Sequence, residues 1–534
     1  MFTFPKHILE TTAVVSLCLV TASCYSPIAC RDGQVINLSR EAESFEELTG
    51  KLAAGNTIAT VIVDEPIKLM KDAVVPSSVT LKFYPGNMIS LNQFALQVNG
   101  GIEAGPHQIF DMGNVEFQQV AKDNIKSKVT GNARVEGLYP QWWGARDDAS
   151  QDASVAFQAA INYAKQSQYS RTVMVRGEFV VQNSLNVTKT KGIKFIGGEG
   201  KNQYNTVYAH TGDVLFDGTG SSHLGFRGFY IKFNPKRVGG NTPSNCAILL
   251  ASSTEKGYAE CLYNEIAYMY VELYRPDFNG QFGTVGVCSI GSEENTILSN
   301  QFFCDTPIIL TAYSGIIKDE IKSNYTPVNT AHSCGVNTFS GENMLVAWNQ
   351  RSYNMILNGV NTVSLGNIYF GGPTWPGTTG GNLSAIQLNS NVDILTGNIK
   401  MEGRTSVFDI MPGTVLSCVD IRTELDGAGN NGNKDYAVVN IRGARADVKL
   451  NSFNLFVTYP SFPQNKKICK NIFKMEKSMN PESRVEFNNS RIVSNQTSTD
   501  MTEALPPEMA GVAKNVEMAF RDRTYSCTPV ESKK

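Results

Sequence analysis

The sequence predicts an all-β solenoid, a right-handed single-stranded parallel β-helix with a short N-terminal capping helix and a small β-rich module ahead of it. Three observations point there. The stretch Tyr139 to Ile161, YPQWWGARDDASQDASVAFQAAI, joins a Pro- and Trp-bearing entry to a small, acidic turn and a short helical pattern. A run of short strand patterns follows at once, TVMVRGEFVVQNSLNV and then IKFIGGEG. Asparagine-marked segments then recur along the chain, as expected of stacked coils. Composition agrees: with 46 Gly in 534 residues and few long amphipathic patterns, the chain suits many short strands joined by tight turns. A solenoid can be this long as one unit, because each coil touches only its neighbours.

The elements follow in chain order. Lys6 and His7 precede an apolar run from Thr11 to Ala22, too short to span a bilayer. It reads as an export signal covering residues 1–23. Thr21-Ala22-Ser23-Cys24 resembles a bacterial lipobox, which implies lipidation and a lipid anchor at Cys24. Simple secretion, with cleavage between Ala22 and Ala29, stays open beside it. Residues 31–137 form a β-rich module that begins with an amphipathic segment, Glu41 to Ala54, and continues through TVIVDEPI and VTLKFYPGNMISL. Residues 138–495 form the solenoid, with a helix over Asp148 to Lys165. Residues 496–534, with Pro506-Pro507, form a tail or cap. Asp152 or Ser154 is positioned to cap the helix by accepting from its first free N–H groups.

The entrance resembles the start of the pectate-lyase-superfamily domain of bacterial and phage proteins. Trp142, Trp143, Gly144 and Ala145 match its opening. Asp148, Asp152, Ala156, Phe157, Gln158, Ala160 and Ile161 match its helix, and Val173, Val175, Gly177, Phe179, Gly197, Gly198 and Gly200 match its first strands. Both glycines of the family's G-D-G turn are absent here, and one Asp of its D-D-T is replaced by Ala153. The resemblance implies a parallel β-helix whose entrance caps the solenoid and carries no chemistry. The paired-Asp, G-H-G and R-x-K patterns of polygalacturonases are missing.

Four segments align on pairs of asparagines: Asn295 with Asn300, Asn337 with Asn343, Asn361 with Asn367, and Asn391 with Asn398. Asparagine tolerates the left-handed region and its amide can bond along a stack, so these positions read as architectural. The strand after each pair assigns a face, because side chains alternate. Ile399 and Met401 point inward, so Lys400, Glu402 and Arg404 point outward, with Tyr369 beside Lys400 in the neighbouring coil. VDIRTEL repeats the pattern, with Val419 and Ile421 inward and Asp420, Arg422 and Glu424 outward. Trp348 and Trp375 lie near the same region.

A polar ladder beside aromatics is what a sugar-chain groove needs. Glycoside hydrolysis wants two carboxylates across the scissile bond, and Glu402 with Asp409, Asp420 or Glu424 could supply them. Elimination from a uronic acid wants a base and a cation for the substrate carboxylate, which Lys400 and Arg404 could supply. Tyr369, Trp348, Trp375, Arg422 and Glu424 would bind the chain. Cross-strand charge pairs that merely solubilise a sheet are the structural alternative. His332 follows an insertion, Ser314 to Thr330, of the kind that walls a groove, while His223 reads as a turn residue.

No cofactor and no metal are implied: His is scarce, and no C-x-x-C pair occurs among the 11 cysteines. Cys304 and Cys418 read as buried, and Cys469 with Cys527 could staple the C-terminal end. A net charge of −2 speaks against nucleic acid as a partner. The expected partner is a polysaccharide, and two classes remain open. One is an exported glycosidase or polysaccharide lyase; the other is a non-catalytic carbohydrate-binding or attachment β-helix. Tailspike depolymerases share this type of entrance, and their frequent homotrimer is written nowhere in these residues.

Overall fold

The computed structural model describes residues 33–41, 44–198, 205–211, 213–233, 245–258, 260–273, 283–312, 321–329, 334–347, 353–372, 384–402, 406–426, 437–442, 447–451, 454–458, 471–475, 484–488, 491–494, 513–514, 516–519 and 524–527. The expected export signal, residues 1–23, and Cys24 lie outside them. Among the described residues no helix is long and apolar enough to cross a membrane.

The chain is all-β, and nearly every pairing is parallel. The N-terminal region opens with the strand Gln34–Asn37 and one turn of helix, Leu38–Glu41, followed by the helix Phe45–Gly55, where Ser44 Oγ accepts from Glu47 N–H at 3.1 Å and satisfies one free helix donor. Three small coils follow. Ala59–Val63, Val79–Phe83 and Gly101–Glu103 stack in one sheet, with Gln34–Asn37 at its edge beside Ala59–Val63; Ile67–Lys68, Ile89–Ser90 and Phe110–Asp111 stack in a second, and Ala73–Val75, Leu96–Val98 and Val129–Thr130 in a third. In Ala59–Val63 alternate residues are buried, the period-2 pattern of a strand with one face inward.

Between this region and the main solenoid sits the tryptophan entrance. Pro140–Trp143 forms one 3-10 turn ended by Gly144 at φ 92°, a left-handed conformation that glycine adopts without Cβ strain. Trp142 donates its indole N–H to Gly105 O at 2.9 Å. Trp143 packs between Phe110 and Tyr163, with ring centroids 5.7 and 6.2 Å away. The helix is Ser154–Gln166, shorter at its start than expected. Asp148–Asp152 is instead a strand paired with Glu178–Val181. The helix is therefore capped from one residue further out: Asp152 Oδ1 accepts from Ser154 N–H at 3.0 Å and also from Gln182 N–H at 3.1 Å, tying the helix start to the first coil.

The solenoid proper has three strand positions per coil. Two of them belong to a 23-stranded sheet and the third to a 10-stranded sheet. The first two meet at a corner set by one left-handed residue per coil, Gly228 (φ 70°), Tyr268 (55°), Ser299 (52°) and Gly341 (63°). Further on the two strands merge into single long ones, Val363–Gly371, Asn391–Glu402 and Val415–Asp426. The interior is filled by stacked side chains, as in the register run Phe216, Ile248, Val287, Ile308, Met355, Ile386, Phe408 and Val439, all buried.

The asparagines split into different stacks. Asn264, Asn295 and Asn337 form a buried amide ladder, with Asn264 Nδ2 donating to Asn295 Oδ1 at 3.0 Å and Asn295 Nδ2 to Asn337 Oδ1 at 2.8 Å. Asn300 and Asn343 form a second buried set, in which Asn343 Oδ1 accepts from Asn300 N–H at 3.0 Å. Asn361 and Asn391 are exposed and off the first ladder, because Asn337 registers with Val363 and Asn391 with Val415. Asn367 and Asn398 bond to each other at 3.1 Å on the outer surface.

Cys246, Cys261, Cys288, Cys304 and Cys334 are free and buried, and burial pushes the Cys261 thiol up to about 11. These are packing residues rather than nucleophiles. The side chains of Cys418 and Cys527, and all of Cys469, lie outside the described residues.

The outer face of the 10-stranded sheet is also buried, which sequence alternation did not suggest. The row Leu249, Cys288, Ile309 and Ile356 is covered by Ile321, Val328 and Tyr353. Residues 321–329 run back across earlier coils as a strap. Ser323 Oγ (2.6 Å) and Asn324 N–H (3.1 Å) donate to Asp217 Oδ2, the Tyr325 hydroxyl donates to Ser184 O, and Thr326 Oγ1 donates to Glu255 at 2.7 Å. Asp217 is fully buried, and that burial raises its pKa against the pull of the hydrogen bonds. Replacing Asp217 with Ala orphans the strap's donors; the expected cost is about 2 kcal/mol, limited because the strap can lift into water. Hydrogen exchange at 321–329 checks this, with faster exchange expected there and little change in the interior of distant coils.

Candidate outer-face glycan site

The strands after the left-handed corner present two outward rows along the solenoid. Their intervening residues, Val207, Ile231, Val271, Phe302, Leu345, Phe370 and Met401, are fully buried, so the flanking positions take the opposite face. Tyr230, Lys232, Tyr270, Glu272, Gln301, Phe303, Met344, Val346 and Tyr369 are half-buried and Lys400 exposed there, while Thr206, Tyr208 and Gly371 are covered. One row runs Thr206, Tyr230, Tyr270, Gln301, Met344, Tyr369, Lys400. The other runs Tyr208, Lys232, Glu272, Phe303, Val346, Gly371, Glu402 in the same register.

Several expected positions fall on these rows. Lys400 is exposed, half-buried Tyr369 is its register partner, and Ile399 and Met401 are buried beneath them. Ile421 is buried and Arg422 exposed, with Arg422 opposite Asn398 and Glu424 opposite Lys400. For Glu402, Asp420 and Glu424 the backbone register is described and the side chains are not. Arg404, Trp348, Trp375 and His332 lie outside the described residues.

Three expectations change. Asp420 does not neighbour Glu402: it registers with Thr396, six residues earlier in the strand, up to roughly 20 Å away at ~3.3 Å per residue. That exceeds the ~5–9.5 Å carboxylate separations of glycoside hydrolysis. The register neighbour of Glu402 is Asp426. Asp409 is on the other sheet, fully buried, with its carboxylate held by Arg442 Nε at 2.6 Å and the Tyr353 hydroxyl at 2.8 Å. It has no access to a substrate. The described part of the insertion straps the 10-stranded sheet, so it builds no wall beside these rows. His223 is exposed in a left-handed turn and packs on Tyr263, with ring centroids 5.1 Å apart.

An aromatic and charged cluster that sequence reading missed lies on the same rows. Tyr230 and Tyr270 stack at 4.6 Å with planes 23° apart, and Phe303 follows at 5.2 Å from Tyr270. Lys232 Nζ sits 5.2 Å from the Tyr230 ring and 5.3 Å from the Tyr270 ring, within cation–π range of both. The Tyr270 hydroxyl donates to Glu272 Oε2 at 3.1 Å. Burial and the Glu272 charge hold this phenol well above its ordinary pKa, so it stays protonated. The available sign was the repeated triplets Tyr-Ile-Lys and Tyr-Val-Glu, each two residues after a corner residue.

Chemically, the rows offer tyrosine hydroxyls, carboxylates and ammonium groups on a rigid sheet, with ring faces largely used by one another. Such a surface can bond sugar hydroxyls and contact apolar ring faces. Among the described residues no group of three or more His, Cys, Asp or Glu is placed to hold a metal ion.

No family model matches the chain, and no curated protein matches it. Solved structures similar to it include the enzymatically active domain of tailspike protein 2 of bacteriophage CBA120, at 10% identity and a TM-score of 0.47, covering 73% of this chain and 52% of that one. Another is full-length tailspike protein 2 from an Escherichia coli O157:H7 bacteriophage, at 11% identity and a TM-score of 0.39, covering 73% of this chain and 46% of that one. The chain thus spans about half the length of each. What identifies its architecture as a parallel β-helix is its own sheet topology, with parallel strands stacked coil upon coil around one interior.

Proposed function

We propose that this chain is an exported polysaccharide-active β-helix protein that binds a glycan along its outward rows and cleaves it by hydrolysis or elimination. The observation that carries the reading is the continuous outward register from Tyr230 and Tyr270 to Tyr369 and Lys400. Surface ion pairs alone would not need stacked tyrosines in that line. The proposal takes the solenoid as right-handed, the hand that parallel crossovers strongly prefer. It also takes residues 1–23 as the export signal, with a lipid anchor at Cys24 or free secretion as its two forms. A homotrimer like those common among tailspikes stays an open assembly.

For hydrolysis the reading now draws on Glu402 and its register neighbour Asp426, because adjacent strands lie ~4.8 Å apart, close to the spacing of retaining enzymes. For elimination it draws on Lys400 and Arg404. The test incubates the protein with capsular, exopolysaccharide and pectic glycans and records reducing ends together with unsaturated-uronate absorbance. Reducing ends alone mean hydrolysis, and both together mean elimination. Glu402→Gln is expected to lower hydrolysis by ~10³-fold or more with an unchanged circular dichroism spectrum. Unchanged cleavage would remove Glu402 from the mechanism. Retention on a glycan column with neither product would favour the binding-only protein.

A further inference from the structure

We propose that Tyr230, Lys232, Tyr270 and Glu272 form a distal subsite for the anionic sugar units of one extended glycan chain lying along the solenoid axis. This rests on the polysaccharide reading and adds to it the charge of the ligand and the direction in which it lies.

The charge argument starts from Lys232. Several cations among the described residues are matched by carboxylates: Arg227 pairs with Glu265 at 3.2 Å, Lys189 with Glu255 at 2.5 Å and Arg442 with Asp409 at 2.6 Å. Lys232 forms no ion pair with any described carboxylate, although Glu272 is its register partner. The Glu272 carboxylate instead takes the Tyr270 hydroxyl. Two rings therefore hold the Lys232 ammonium in place on the outward face, and its N–H donors are left for an acceptor from solution. A carboxylate, phosphate or sulfate on a sugar suits an ammonium so fixed, since little side-chain freedom remains to be lost on binding. The Tyr270 oxygen, with its proton engaged, offers lone pairs to a neighbouring hydroxyl.

Direction follows from register. Tyr230 and Lys400 lie on one row, separated by the strands of Tyr270, Gln301, Met344 and Tyr369. At ~4.8 Å per strand the two ends are roughly 24 Å apart. A polymer chain running along the two adjacent rows meets both cations, Lys232 on one row and Lys400 on the other, and the second contact is made at a raised effective concentration.

The experiment measures retention of the full chain on immobilised uronate-bearing, phosphate-bearing and neutral bacterial polysaccharides, using the wild type, Lys232→Glu and Lys232→Arg. Lys232 is half-buried on the surface, so neither variant threatens the fold. Expected are binding to anionic members, a loss of tenfold or more in Lys232→Glu, the scale of one charge-assisted hydrogen bond, and near wild-type binding in Lys232→Arg. Which anionic class binds decides between carboxylate and phosphate. Wild-type binding that Lys232→Glu leaves unchanged, or that is confined to neutral members, overturns the subsite and leaves the polysaccharide reading standing. Binding to no member overturns both.

Discussion

Replacing Trp142 with Ala is expected to cost about 3–5 kcal/mol, the usual range for a fully buried aromatic. The side chain is 2% exposed and touches the rings of Tyr139 and Trp143 at 5.6 and 6.2 Å. It also joins two parts of the chain: its indole N–H donates to Gly105 O, and its backbone carbonyl accepts from Ile109 N–H at 3.1 Å. The Ala variant therefore opens a cavity and loses the indole hydrogen bond at once, while the exposed Gly105 carbonyl keeps the His107 N–H at 2.9 Å. Trp142→Phe separates the two effects, keeping most of the ring volume and losing the hydrogen bond, with an expected cost of about 0.5–1.5 kcal/mol. Urea titration followed by hydrogen exchange over 101–112 and 138–145 checks both. An Ala variant as stable as the wild type would mean that the N-terminal coils do not depend on this contact.

The entrance was legible because its sequence is local: Trp, Trp, Gly and a helical pattern follow one another, and the structure keeps them adjacent. Facing was legible too, since inward Ile399 and Met401 and outward Lys400 need only the two-residue period of one strand. Register between coils was not. Period 2 says which face a residue takes, but not which residue of the next coil stands beside it. That is why Asp420 was set beside Glu402 when it belongs beside Thr396. The same uncertainty merged the buried ladder of Asn295 and Asn337 with exposed Asn361 and Asn391.

The Tyr230 and Lys232 cluster was hidden for a related reason. Tyr230–Lys232 and Tyr270–Glu272 are three-residue strands, too short to show alternation by themselves. Only when coils stack do two isolated triplets become a row. The strap was hidden because its contacts span up to 141 positions, from Tyr325 to Ser184, and no local pattern encodes them. Legibility in this fold thus falls with the distance a contact spans along the chain, and a site built across coils is read last.

That distinction gives the buried amide ladder a clear test. Asn295 is 3% exposed, takes Nδ2–H from Asn264 at 3.0 Å and gives its own to Asn337 at 2.8 Å and to Ser292 Oγ at 3.0 Å. Asn295→Leu keeps the volume and removes both functions, leaving a donor on Asn264 and an acceptor on Asn337 buried without this partner. At about 1–3 kcal/mol for each orphaned group, the expected cost is about 2–5 kcal/mol. Asn295→Asp probes direction. A carboxylate can still accept from Asn264, but it turns an oxygen toward the Asn337 oxygen and buries a charge, so it should do no better than Leu. In a solenoid the damage should be local, since coils are coupled mainly to their neighbours. Hydrogen exchange should quicken across 261–267, 292–298 and 334–340 and leave the N-terminal coils unchanged. Uniform acceleration along the chain would mean that the solenoid unfolds as one unit and that the ladder sets only its total stability.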